Sequence, residues 1–80
     1  QAMIMPKVYL QQGKKSDRDW IENCMNHIPI NKQEAVADEY ERRYNAPTQR
    51  YHGRDAANEY LRDIAREYRQ EAYVQQEKEM

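Results

Sequence analysis

The sequence predicts an all-α fold: a small three-helix bundle behind an extended N-terminal arm. Three observations point there. Apolar residues recur at helical spacing in three separate stretches. Prolines at positions 29 and 47 punctuate the segments between them. One β-prone run near the N-terminus has no second strand-like run to pair with.

The most regular stretch is Asp55 to Ala72, DAANEYLRDIAREYRQEA. At about 100° per residue, Ala57, Tyr60, Leu61, Ile64, Ala65, Tyr68 and Ala72 share an arc of roughly 140°. Asp55, Glu59, Asp63 and Glu67 fall on the far side, with Arg62, Arg66 and Arg69 between. Strand alternation would mix apolar and charged residues on both faces. The pairs Glu59/Arg62 and Asp63/Arg66 add at most about 0.2–0.5 kcal/mol each. A lone helix of this length is marginal in water, so its apolar stripe has to pack against the rest of the chain.

Eighty residues make one domain. A chain this short buries only about 60–65% of its unfolded surface, so the core is small and a homodimer would enlarge it. Charged residues are 34% of the chain, yet the net charge is −1. Bulk charge therefore gives no polyanion binder. Seven tyrosines and no phenylalanine favour half-buried positions and binding surfaces, because each ring carries a hydroxyl that needs a partner. Cys24 is the only cysteine, which excludes an internal disulfide and leads us to expect a reducing, cytoplasmic setting. No apolar run approaches the roughly 18 residues of a membrane span, and the N-terminus lacks a charged-then-apolar signal pattern. Gln1-Ala2 ahead of Met3 reads as a cloning remnant, with Met3 or Met5 as the native start.

In chain order, Met3 to Leu10, MIMPKVYL, is expected to be an extended arm on the helices, or else an edge strand for another chain. Residues 1–15 comprise this arm and a turn at Gln11 to Lys15, around Gly13. The first helix is expected over 16–28. Ser16 caps it, Asp17 and Asp19 suit its first turn, and Trp20, Ile21, Cys24, Met25 and Ile28 form one face. Pro29 ends it. The second helix is expected over 31–45, capped by Asn31 with Glu34 three positions on. Ile30 would staple onto Ala35 or a neighbour, and Val36, Ala37, Tyr40 and Tyr44 face inward. Asn45-Ala46-Pro47 is the stop. The third helix is expected over 54–74, with Gly53 or Asp55 at its start and a frayed tail over 75–80. The expected core is Trp20, Ile21, Cys24, Ile28, Tyr40, Leu61, Ile64 and Tyr68.

No catalytic or cofactor motif stands out. Gly13 and Gly53 are isolated, so there is no phosphate-cradling loop. Asp55, Glu59 and Asp63 read as a solvated stripe, with nothing apolar to raise a pKa. Cys24 and His27, with His52 as a third ligand, fall short of a four-ligand zinc site. Cys24 on an apolar face is also a poor nucleophile. We therefore expect no enzyme, no metal and no cofactor.

The stretch that carries function is expected to be Arg42 to Arg54, RRYNAPTQRYHGR, which holds four arginines and a histidine and no acid. Arginine offers a planar fork for carboxylate or phosphate, and tyrosine offers a stacking face. Arg42 and Arg43 also suit a helix C-terminus, whose dipole favours cations. Arg50 and Arg54 approach a helix N-terminus, where the dipole disfavours them, so they need another explanation. The expected partner-binding residues are Arg43, Arg50, Tyr51, His52, Arg54, Arg62 and Arg66. Asp63 and Glu67 beside the last two make that face mixed.

The run Glu41 to Pro47, ERRYNAP, resembles a helix end in the small helical theta subunit of bacterial replicases. That resemblance covers seven residues and no function is carried across on it. The resulting expectation is a small non-enzymatic adaptor or inhibitor that lays an Arg/Tyr surface on an acidic protein partner. The alternative is a nucleic-acid-binding accessory protein using the same segment. Small charged helical proteins of this kind occur in many settings, mobile genetic elements among them.

Overall fold

A computed structural model shows a mostly helical chain with a small antiparallel hairpin, and describes residues 3–46 and 53–79. The order is β1 (Gln11–Gln12), β2 (Lys15–Ser16), α1 (Arg18–Met25), α2 (Ile30–Tyr44) and α3 (Gly53–Glu79).

The N-terminal segment runs along α2 as an extended strap. The Ile4 amide donates to Gln33 Oε1 at 3.0 Å, and the Lys7 amide donates to Glu41 Oε1 at 3.1 Å. Pro6 is buried, and Met3, Met5 and Tyr9 pack against the core. The expected turn at Gln11 to Lys15 contains two short strands, with Gln12 opposite Lys15. Gly13 has φ of +55° and Lys14 does not share the positive sign, the pattern of a type II′ hairpin loop.

α1 is shorter than expected at both ends. Ser16 belongs to β2, and Asp17 holds the N-cap position without a side-chain cap bond. Ser16 still accepts the Arg18 amide through Oγ at 3.2 Å. The Asp17 carboxylate is drawn instead toward α3. At the other end the His27 and Ile28 amides reach back three residues, to the Cys24 and Met25 carbonyls, so the helix tightens into a turn before Pro29.

α2 starts one residue early. Pro29, with ψ of 143°, is its N-cap, and Asn31 lies inside the first turn without a capping bond. Proline already lacks an N–H and has its φ set, so it opens the helix without a polar cap. Ile30, expected as a staple, is 53% exposed. Asn45 closes α2: its amide donates to the Glu41 carbonyl at 3.0 Å, and the Ala46 amide donates to the Arg43 carbonyl at 3.4 Å.

α3 begins at Gly53, which leaves Asp55 in the first turn and not at the cap. A Cβ on Gly53 would lie 1.8 Å from the Tyr44 carbonyl oxygen, so only glycine lets α3 start against the end of α2. The helix continues to Glu79, past the expected end at 74. No glycine or proline interrupts 73–79, and Gln, Glu and Lys favour helix there.

Arg43 lies over Tyr60 and Lys32 over Tyr68, so α2 runs antiparallel to α3. Asp17 meets Arg54 and Trp20 meets Arg62, so α1 runs parallel to α3. The core between them is Ile21, Cys24, Met25, Ile28, Val36, Ala37, Tyr40, Ala57, Leu61 and Ala65. Five of the expected core residues are buried: Ile21, Cys24, Ile28, Tyr40 and Leu61. Trp20, Ile64 and Tyr68 are half-buried and flank the core.

Gln33 is the one buried polar residue among those described, at 4% exposure. Its Nε2 donates to the Met25 and Ile28 carbonyls, at 3.2 and 3.1 Å, while its Oε1 takes the Ile4 amide. One side chain thus ties the end of α1, the turn and the strap to α2.

Candidate protein-interaction surface

The expected site residues separate in space. Arg54, in the first turn of α3, donates from Nε and a terminal nitrogen to the two oxygens of Asp17, at 2.7 and 3.0 Å. Asn58 Nδ2 donates to the same carboxylate at 3.3 Å, and Tyr40 Oη donates to Asn58 Oδ1 at 2.5 Å. The Arg54 fork holds the Asp17 carboxyl below its ordinary range, against a burial that acts the other way. Burial pushes the Tyr40 hydroxyl up, because no charged form is tolerated inside. Asp17 also offsets the dipole penalty of a cation at a helix N-terminus. The charge of Arg54 is therefore engaged within the fold, between residues 37 apart in the chain.

Arg43 behaves differently. Glu39 accepts Arg43 Nε at 2.7 Å and also pairs with Arg42. The two arginines lower the pKa of the half-buried Glu39 carboxyl to about 2. Braced this way, the Arg43 guanidinium sits 4.5 Å from the centroid of the Tyr60 ring. Arg43, Tyr60 and Ile64 line a surface groove of about 440 Å³ together with Ala56, Glu59 and Asp63. Half-buried Tyr68 extends the same face, with Lys32 Nζ 5.4 Å from its centroid.

Arg62 lies on the other side of α3, 5.6 Å from the Trp20 ring. Arg66 approaches Asp63 at 4.0 Å, an exposed pair worth little. Arg50, Tyr51 and His52 lie outside the described residues. Cys24 is buried, and burial raises its thiol pKa while Arg62 and Arg69 act to lower it. His27 is exposed at the end of α1. Among the described residues no group of three or more His, Cys, Asp or Glu side chains is placed to hold a metal ion.

Two residues that matter to these faces were not singled out as functional from sequence, Tyr60 and Trp20. Both carry the sequence signature of core positions. Only their place at a seam turns them partly outward, each under an arginine.

These features define a small, mostly helical domain with an aromatic and arginine-lined surface. Comparison with family models, with curated proteins and with solved structures finds no match to the chain. No helix among the described residues is long and apolar enough to cross a membrane.

Proposed function

We propose that this three-helix bundle is a non-enzymatic protein-binding module, an adaptor or inhibitor, that presents an Arg/Tyr surface to an acidic partner. The observation that carries the reading is Arg43 braced by Glu39 and laid over Tyr60, in a groove that Ile64 also lines. Interfaces draw their binding energy from such anchors, an aromatic ring and a fixed guanidinium at one spot. Pre-bracing lowers the side-chain entropy that binding costs. Of the residues expected from sequence, Arg43 belongs to this surface directly. Arg54 is instead held by Asp17 within the fold, and Arg50, Tyr51 and His52 are the surface's candidate extension along the chain.

The test is a tagged pull-down from lysate, with and without nuclease. A protein band that survives nuclease and falls at least about tenfold with Arg43→Glu plus Tyr60→Ala is the expected result, equal to about 1.4 kcal/mol. Bound nucleic acid whose digestion removes every captured protein would overturn the reading. Arg50→Glu serves as the parallel variant for the linker.

A further inference from the structure

We propose that the flank of α2 beneath residues 3–10 is a binding site for an extended, proline-containing apolar segment of a partner protein, and that the N-terminal strap fills it in cis. The site is separate from the Arg43 face and does not depend on it. At about 100° per residue, Gln33, Ala37 and Glu41 share one flank of α2, and Lys32 and Arg43 the other. The strap lies on the first flank as a bound peptide would. Met3 and Met5 are half-buried against the core and Pro6 is buried, while Ile4 and Lys7 are exposed. That is the pattern of an extended chain with one face down.

Two acceptors on α2 read the strap's backbone. Gln33 Oε1 takes the Ile4 amide at 3.0 Å, and Glu41 Oε1 takes the Lys7 amide at 3.1 Å. Gln33 and Glu41 are about 12 Å apart along the helix axis. Residues three apart in an extended chain are separated by about 10 Å, so the two side chains fit one extended register. Pro6, between the two donors, has no amide, and its burial leaves no donor unpaired. The chemistry of the occupant follows: amide donors at i and i+3, proline at i+2, and apolar side chains at i−1 and i+1. Methionine at the last two positions is an adaptable filler, so other apolar side chains fit there too.

The strap is also a separable layer. The buried apolar core, from Ile21 to Ala65, belongs wholly to the helices and the α1–α2 turn. Among the described residues the strap makes no backbone-to-backbone hydrogen bond before Leu10, whose carbonyl accepts the Asp17 amide at 3.0 Å. Leu10 is therefore the hinge, and the segment ahead of it can lift without unpacking the helices. Lifting uncovers an apolar flank with two unfilled acceptors, which a segment of the same chemistry refills. A tethered occupant acts at a local concentration on the order of mM, so the strap sets a threshold that the partner has to exceed.

The probe is a fluorescently labelled synthetic peptide with the sequence of residues 1–10, added to the full chain and followed by anisotropy. Met5→Asp in the protein loosens the strap and leaves the α2 flank as it is. The expected result is saturable binding that is at least about tenfold tighter to Met5→Asp than to wild type, because the tethered competitor is gone. Methylating the peptide's amide nitrogens at the Ile4 and Lys7 positions removes both donors and should abolish binding, with the protein untouched. Pro6→Ser is the second loosened variant, and circular dichroism of both shows that the helices are intact. Arg43→Glu should leave the titration unchanged, and so separates this site from the α2–α3 face. No saturable binding to either loosened variant up to about 1 mM peptide, equal affinity for wild type and variants, or undiminished binding of the methylated peptide would each overturn the proposal. So would a wild-type dimer in solution that exchanges straps between two copies, since the occupant would then be a second copy of this chain.

Discussion

Gly53 and Gln33 show how much single residues decide in a chain this small. Gln33 fills three hydrogen-bonding roles at once, and no apolar replacement of its shape offers them. Gly53 is set by contact and not by backbone sign, since α3 starts against the Tyr44 carbonyl. Gly53→Ala should therefore destabilise the protein by about 2–3 kcal/mol, as the α2–α3 junction shifts to admit a methyl group. For a domain of this size that corresponds to a loss of about 10 °C or more in Tm. Thermal unfolding followed by circular dichroism checks it, and an unchanged Tm would mean that the two helix ends are not in contact. Gly53 was legible as a helix start because glycine punctuates. Its need to be glycine was not, because Tyr44 is nine residues away on another helix.

At the scale of elements, α1 is a short helix held at its N-terminus by a charge clasp. The Asp17 carboxylate is below its ordinary pKa in the fold, so the clasp is complete above the unfolded carboxylate value of about 3.9 and is lost as pH falls through the lowered one. Tyr40, pushed upward, has the opposite sign: its contribution is intact below about pH 10 and is lost as pH rises beyond that. Asp17→Asn should cost about 1–2 kcal/mol at neutral pH, a modest figure because Arg54 is partly open to solvent screening. The gap in urea midpoint between wild type and Asp17→Asn should begin to close as pH falls below about 4 and vanish once the lowered value is passed. A gap that persists there would show that the aspartate acts through shape and not charge. Ser16 and Asp17 were readable from sequence as helix-start residues. The division of labour between them was not, because Arg54 takes the carboxylate from a position 37 residues later.

For the whole molecule, α3 is the spine. Its 27 residues span about 40 Å and account for most of the 46 Å long dimension. Among its described side chains the last buried one is Ala65 and the last half-buried one Tyr68, while Arg69 to Ala72 are exposed. Truncation after Ala72 should leave the urea midpoint within about 0.5 kcal/mol of the full chain while lowering the helical circular dichroism signal. A larger loss would assign the end of α3 a structural role. The same geometry gives α3 two seams, one against α2 with Arg43, Tyr60 and Ile64, and one against α1 with Trp20 and Arg62.

The number of helices, their approximate limits and the apolar stripe of α3 came from the sequence alone, because helical periodicity is local and needs only neighbours three or four positions away. So did the exclusion of an internal disulfide, which follows from a single cysteine. Tertiary structure alone decided which arginines are spent inside the fold and which face outward. Arg54 is bound by Asp17, Arg43 is braced over Tyr60, and Arg62 covers Trp20, and none of these partners is adjacent in the chain. An arginine-rich stretch reads as one patch in sequence, but a helix distributes its residues around an axis and the neighbouring helices then claim each side separately.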